Sequence, residues 1–281
     1  MKITAFLTVA LLAVVVQFSS RVNTVEVYVT VTDRDGRPVQ GLSRADFALF
    51  EDEAPQTVSV FTAGETGLSV AVALDRSFSM AGERLTRMKQ AAGQFLRALR
   101  RGDRSMLIGI GSTVDVLAPL SADRAGQIDT LTSLDAWGST SLHDAVIQAL
   151  DRIQAAPGRR ALVLLSDGVD RYSQASATDV IDRARRGDVL AYPIALGKTR
   201  PPLFVELAAV TGGRSLQVSD PAKLAESLTS IAEELRQQYL LGYESTARAG
   251  GVSSSPQWHR LRVEVNRKNV TVRARPGYWT P

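Results

Sequence analysis

Three short oxygen-rich motifs carry the chemistry open to this chain: Asp75-Arg76-Ser77-Phe78-Ser79, Gly138-Ser139-Thr140-Ser141 and Ser166-Asp167-Gly168. Their side-chain donors are carboxylates and hydroxyls, the ligands that hard divalent cations such as Mg²⁺ take in near-octahedral shells. Alternation in the first motif aims Asp75, Ser77 and Ser79 the same way, so these three, with Thr140 and Asp167, are candidate ligands of a single ion. Only Asp75 and Asp167 are charged. Two carboxylates against a 2+ ion leave a formal charge near zero and a metal still electrophilic toward an outside carboxylate. Taken singly, each motif also reads as an ordinary helix cap or turn.

Composition excludes most other chemistry. The chain has 281 residues, no Cys and two His, His143 and His259. A thiolate nucleophile, a Cys-ligated zinc and an iron-sulfur cluster are ruled out, and a His-based relay is not expected. Neither His lies in a recognisable triad context, so no catalytic residue is assigned and an enzyme is not expected. Arg101-Gly102-Asp103 spells a cell-attachment tripeptide but sits where a helix should end and turn. His259, in a strand pattern, reads as structural, and the sequon Asn269-Val270-Thr271 reads as chance.

The first twenty residues are a separate unit. Lys2 precedes an apolar run, Ile3 to Val16, interrupted only by Thr4 and Thr8, and Gln17 to Ser20 lead out of it. A run this short is marginal for a membrane span and reads as a secretory signal over residues 1–20, with an uncleaved N-terminal anchor as the alternative. An exported chain, periplasmic, cell-surface or extracellular, is expected, and the missing Cys fits that. Without Lys2 the chain has 32 Lys and Arg against 29 Asp and Glu, too even a balance to indicate nucleic acid. The ends differ locally: residues 22–62 carry a net −4 and residues 241–281 a net +5, so the two segments can lie against each other.

The elements that must position the motifs follow from periodicity. Val25, Val27, Val29 and Val31 alternate with polar residues as in a half-buried strand, and a second strand pair is expected at Phe47 to Phe50 and Thr57 to Phe61, split by Glu53 to Pro55. Leu261, Val263 and Val265, then Val270 and Val272, read as antiparallel strands after a Gly- and Ser-rich loop at 245–256. The two ends, 22–62 and 241–281, are expected to close one small β-sandwich, since an isolated strand pair is marginal in water. Between them, residues 67–240 alternate strands (near 70–74, 106–110, 114–117, 161–165, 189–196 and 215–218) with helices (near 85–99, 142–153, 177–186, 203–210 and 221–238). This is the pattern of a doubly wound, mostly parallel α/β sheet, whose ligand site lies beyond the C-terminal strand ends. All three motifs fall at such ends or at the start of a helix.

In that order and placement the motifs resemble the metal-ion-dependent adhesion site of the von Willebrand factor type A domain: D-x-S-x-S, then a Thr in a G-x-T context, then S-D-G. Ala191 to Gly197 and Leu207 to Gly213 resemble the family's later strand and helix, while Asp46 to Asp52, Glu234 to Tyr239 and Arg273 to Tyr278 resemble exported members common in Acidobacteria. Phe78 stands where the family often has Gly, and His143 where Tyr is frequent. The resemblance implies metal ligation by Asp75, Ser77, Ser79, Thr140 and Asp167, the last directly or through water, with Mg²⁺, or Mn²⁺ or Ca²⁺, as the ion. A Glu or Asp of a partner protein would complete the shell, with Arg76, Phe78 and His143 as the ligand-contact rim. The implied function is a metal-dependent adhesion or protein-binding module; a structural scaffold with a purely stabilising or degenerate site is the alternative, and a metal-dependent hydrolase is less favoured. By analogy, the helix near 221–238 could pass movement to the sandwich.

Overall fold

The computed structural model describes residues 24–64, 66–245 and 255–280. The leader expected at 1–20 and most of the loop expected at 245–256 lie outside the described residues. In chain order the first elements are β1 (Thr24–Thr32), β2 (Phe47–Glu51), β3 (Ala54–Gln56), β4 (Val60–Ala63), β5 (Leu68–Asp75), α1 (Glu83–Ala98), β6 (Arg104–Ile110), β7 (Val114–Ser121), α2 (Arg124–Thr132) and α3 (Leu142–Gln154). There follow β8 (Arg159–Ser166), α4 (Ala177–Arg186), β9 (Leu190–Leu196), α5 (Pro202–Thr211), β10 (Leu216–Val218), α6 (Leu224–Arg236), β11 (Tyr239–Glu244), β12 (Trp258–Val265), β13 (Thr271–Arg273) and β14 (Gly277–Trp279).

The central sheet has the order β10-β9-β8-β5-β6-β7 and is parallel except where β7 runs against β6. β5 is buried along its whole length, which explains its continuous apolar run Val70 to Leu74. Its alternate side chains separate two cores. Val70, Val72 and Leu74 pack with α1 and α6, while the small Ala71 and Ala73 pack with Leu142, Val146 and Leu150 of α3. Both layers therefore fix the C-terminal end of β5, where Asp75 stands.

The chain ends form two further sheets, β13-β1-β11-β4 and β14-β12-β2-β3. Val25, Val27, Val29, Leu241 and Tyr243 of the first share one core with Phe47, Leu49, Leu261 and Tyr278 of the second. β1 takes partners from the far end of the chain on both sides, β11 and β13, and β2 pairs with β12. The opposite local charges meet there, with Arg262 3.0 Å from Glu53.

Several expectations are corrected. Glu53 to Pro55 do not split a strand pair: Ala54–Gln56 is itself β3, joined to β2 by a two-residue turn. Asp52 and Glu53 take positive φ there, and Asp52 is held by the Arg260 N–H at 2.8 Å and by His259 Nδ1 at 2.7 Å. Pro55 is tolerated because β3 is an edge strand. The second expected partner shifts to Val60–Ala63 and joins β11 in the other sheet. The C-terminal strands are antiparallel as read, β12 pairing with β2 and β14, and β13 with β1. The outer face of β1 is not solvated along its length, because Tyr28 and Thr30 are buried against the α/β unit. The last helix stops at Arg236, and β11 follows almost at once.

Candidate functional site

Asp75 is fully buried at the end of β5 and its carboxylate is held at both oxygens: Oδ1 accepts from the Ser77 N–H at 3.0 Å and Oδ2 from the Ser166 hydroxyl at 2.6 Å. Ser166 ends β8, the strand paired with β5, so the sheet sets this bond. The chain then makes a 3-10 turn at Phe78–Met80, pinned by the fully buried Met80. The Ser77 and Ser79 hydroxyls come within 3.0 Å of each other, and Ser79 donates to Asp167 Oδ2 at 2.8 Å. Asp167 Oδ1 accepts from the Val169 N–H at 3.0 Å. Asp75, Ser77, Ser79 and Asp167 thus form one continuous hydrogen-bonded chain across two loops.

Thr140 reaches this region from the loop that enters α3. The loop is stitched to the first motif: Trp137 N–H donates to the Arg76 carbonyl at 2.7 Å and Phe78 N–H to the Gly138 carbonyl at 3.0 Å. Gly138 has a φ of +71°, and a Cβ there would lie 2.5 Å from the Ser112 hydroxyl, so both conformation and space require glycine. Thr140 is buried, and its carbonyl accepts from Arg171 N–H at 2.9 Å and Tyr172 N–H at 3.1 Å. Among the described residues its hydroxyl makes no hydrogen bond to the Asp75–Asp167 chain.

The expected rim residues take different roles. Phe78 is 68% exposed between the two serines. Arg76 is committed sideways, 2.5 Å from Asp115 and with its guanidinium 5.1 Å from the centroid of the Trp137 ring. His143 is half-buried, with Nδ1 3.0 Å from the Ala175 carbonyl.

Asp170, Asp144 and Ser173, to which sequence reasoning gave no role, latch the loop after β8 onto α3. Asp170 Oδ1 accepts from Leu142 N–H at 2.7 Å, His143 N–H at 3.2 Å and the Ser173 hydroxyl at 2.5 Å; Asp144 accepts from the N–H groups of Gln174 and Ala175, both at 3.0 Å. The only sequence signal for them was acidic residues close to the second and third motifs.

Burial pushes the Asp75 carboxyl above the ordinary carboxylate range; hydrogen bonds from Ser166 and Ser77 oppose this, and the nearby Asp167 charge adds to it. Burial also pushes Asp170 up, but hydrogen bonds from Ser173 and the α3 backbone outweigh it and hold Asp170 below that range. The donor set at the centre is oxygen alone. Among the described residues no three His, Asp or Glu gather as a metal-binding group, so a cation here must also draw on hydroxyls. No Ser or Thr hydroxyl among them is hydrogen-bonded to an imidazole. Asp103 of the cell-attachment tripeptide is buried and accepts from Leu68 and Arg100 N–H, at 3.0 and 2.7 Å, which is a structural task. No helix among the described residues is long and apolar enough to cross a membrane.

Residues 70–169 match the family model of the von Willebrand factor type A domain. The chain is 28% identical over 163 residues to calcium-activated chloride channel regulator 4 of Homo sapiens, a match covering 55% of this chain; the chain spans only 17% of that relative's length. Among solved structures, a von Willebrand factor type A protein from Catenulispora acidiphila aligns with a TM-score of 0.57 at 17% identity, over 81% of this chain and 71% of that one. Proximal thread matrix protein 1 from the mussel byssus, with zinc in its MIDAS motif, aligns with a TM-score of 0.56 at 14% identity, over 66% and 49%. At such identities the structural likeness speaks for the fold.

Proposed function

We propose that this chain, which carries a von Willebrand factor type A domain over residues 70–169, binds a protein partner by capturing a carboxylate on a divalent cation held by Asp75, Ser77, Ser79, Thr140 and Asp167. The observation that carries this reading is the convergence of Asp75, Ser77, Ser79 and Asp167, from two loops, into one hydrogen-bonded chain of oxygen donors. The zinc in the mussel protein's MIDAS motif supports a divalent ion at this place in the fold.

Each residue has a definable task. Ser166 and the Ser77 N–H orient the Asp75 carboxylate, and the ion would relieve the repulsion between Asp75 and Asp167. Neutral hydroxyls from Ser77, Ser79 and Thr140 complete the protein's donors and leave the ion able to accept an outside carboxylate. The leader pattern at 1–20 and the lack of Cys support a site of action outside the cytosol.

The test is thermal unfolding in EDTA, Mg²⁺, Mn²⁺ and Ca²⁺, with Asp75→Ala alongside. An ion that binds only the folded state at 100 times its Kd stabilises by about 2.7 kcal/mol. A rise in Tm with Mg²⁺ or Mn²⁺, absent in Asp75→Ala, is the expected result. No rise at millimolar metal would favour the scaffold reading.

A further inference from the structure

The described residues leave seven large apolar side chains exposed, and four of them, Phe78, Trp137, Val169 and Tyr172, stand on the loops around the oxygen cluster. The other three, Val60, Val116 and Val205, are dispersed on β4, β7 and α5. All the aromatic members of the set are in the group of four, with Phe78 and Tyr172 the most exposed at 68% and 66%. Exposed apolar groups gathered on one face, and aromatic ones above all, are the mark of an interaction surface.

These side chains do not sit on loose segments. Phe78 N–H is bonded to the Gly138 carbonyl, Trp137 N–H to the Arg76 carbonyl and Tyr172 N–H to the Thr140 carbonyl, while Val169 N–H is bonded to the Asp167 carboxylate. Each apolar residue is therefore tied directly to a residue of the oxygen cluster or to the backbone beside one. A rim held in this way loses little freedom on binding.

Sheet order gives the rim its arrangement. Val169 and Tyr172 follow β8, Phe78 follows β5, and the Trp137 ring lies against Gly111 at the end of β6. In the order β8-β5-β6 the apolar groups flank the cluster on both sides, over a span of about 10 Å at the usual strand spacing. Beyond β8, the exposed Lys198 and Arg200 follow β9, with the adjoining Pro201 packed on Gly168, and Arg171 is exposed beside Tyr172. None of these three cations is in an ion pair among the described residues.

We infer that the partner is a protein segment that presents its metal-bound carboxylate between large apolar side chains, which pack on the rim of Phe78, Trp137, Val169 and Tyr172. The unpaired cations add a preference for further acidic residues on the β9 side. This rests on the metal reading above and sets the partner's class within it: a Glu or Asp in an apolar setting, not an isolated surface carboxylate.

The test uses the whole chain in Mg²⁺ and three blocked peptides followed by calorimetric titration: acetyl-Ser-Phe-Glu-Leu-Ser-amide, acetyl-Ser-Gly-Glu-Gly-Ser-amide, and the first with Gln for Glu. The apolar-flanked Glu peptide is expected to bind at least tenfold tighter than the Gly-flanked one. That binding should be lost with the Gln peptide or in EDTA. In the double variant Phe78→Ser, Tyr172→Ser the two Glu peptides should bind alike, and because both side chains are exposed its Tm should match the wild type.

Equal binding of the two Glu peptides to wild type, or a preference that survives in the double variant, overturns the inference. If neither binds while Mg²⁺ still raises the wild-type Tm, the inference falls and the metal reading stands; if Mg²⁺ raises nothing, the metal reading falls first. Flotation of wild type but not the double variant with phosphatidylcholine vesicles in EDTA would also overturn it, by assigning the rim to lipid.

Discussion

Ser166 and Asp170 are the side chains on which the site's geometry depends most without supplying a proposed ligand. Ser166 is fully buried, donates to Asp75 at 2.6 Å and accepts from the Gly168 N–H at 3.0 Å. Ser166→Ala should destabilise the fold by about 1–3 kcal/mol, the range for a lost buried hydrogen bond. It should weaken the metal-induced rise in Tm without abolishing it, as Asp75→Ala would. Asp170 gives the pH-dependent case. Its folded carboxyl lies below the ordinary value, so its contribution is complete above the unfolded pKa of about 3.9 and is lost as pH falls through the lower folded one. Asp170→Asn should cost about 1–2 kcal/mol at pH 7, and the Tm gap to wild type should close below pH 4. The gathering of Asp75, Ser77, Ser79 and Asp167 was legible because one motif spaces three of them along a turn and the fourth directly follows the neighbouring strand. The latch made by Asp170 and Asp144 was not, because carboxylates that bind backbone N–H groups 27 to 31 residues away leave no local pattern.

At the scale of elements, α6 and β11 join the α/β unit to the sandwich through buried polar groups. Glu234 is 3% exposed and receives Arg273 of β13 at 2.7 Å, Arg214 at 3.1 Å and the Tyr192 hydroxyl of β9 at 2.9 Å. Gln238 continues the network, donating to the Thr30 hydroxyl of β1 at 3.0 Å and to the Tyr192 hydroxyl at 3.1 Å. Removing the carboxylate that both arginines face leaves two half-buried cations without it and the buried Tyr192 hydroxyl without its acceptor, so Glu234→Ala should cost about 1–3 kcal/mol in chemical denaturation. Hydrogen exchange should quicken in β13 and β1 as well as in α6, since the network spans all three. The helices α1 and α3 were legible from their apolar spacing. α2 was not: its sequence contains Gly126 and little apolar stripe, and it is held instead by its Asp123 cap and by Gln127 buried against Ser105, with the Gln127 amide donating to the Ser105 carbonyl at 2.5 Å. β3 and β14, three residues each, are too short for alternation to declare itself.

For the whole molecule, the opposite charge of the two ends and their shared strand pattern pointed to one sandwich, but not to the pairing. That pairing depends on β11, which lies between β1 and β4 and comes directly after α6. One face of β1 belongs to the sandwich core, while Tyr28 joins the core formed by α1 and α6. α5 ends on Gly212 in the left-handed conformation, where a Cβ would lie 2.6 Å from the Arg275 backbone nitrogen, so the C-terminal segment packs tightly on the α/β unit as well. The two units are therefore not expected to unfold independently. A chain ending at Glu244 would lack β12, β13 and β14, exposing Leu49 and Phe47 on β2 and leaving Glu234 without Arg273. Both losses weaken the α/β unit through β1 and α6, not through the metal loops. Such a truncation should lower the Tm of the whole chain in one cooperative transition, with circular dichroism at helical and strand wavelengths moving together. If the helical signal instead melted at the full-length temperature, the interface through Glu234, Gln238 and Tyr28 would be shown to contribute nothing to the α/β unit's stability.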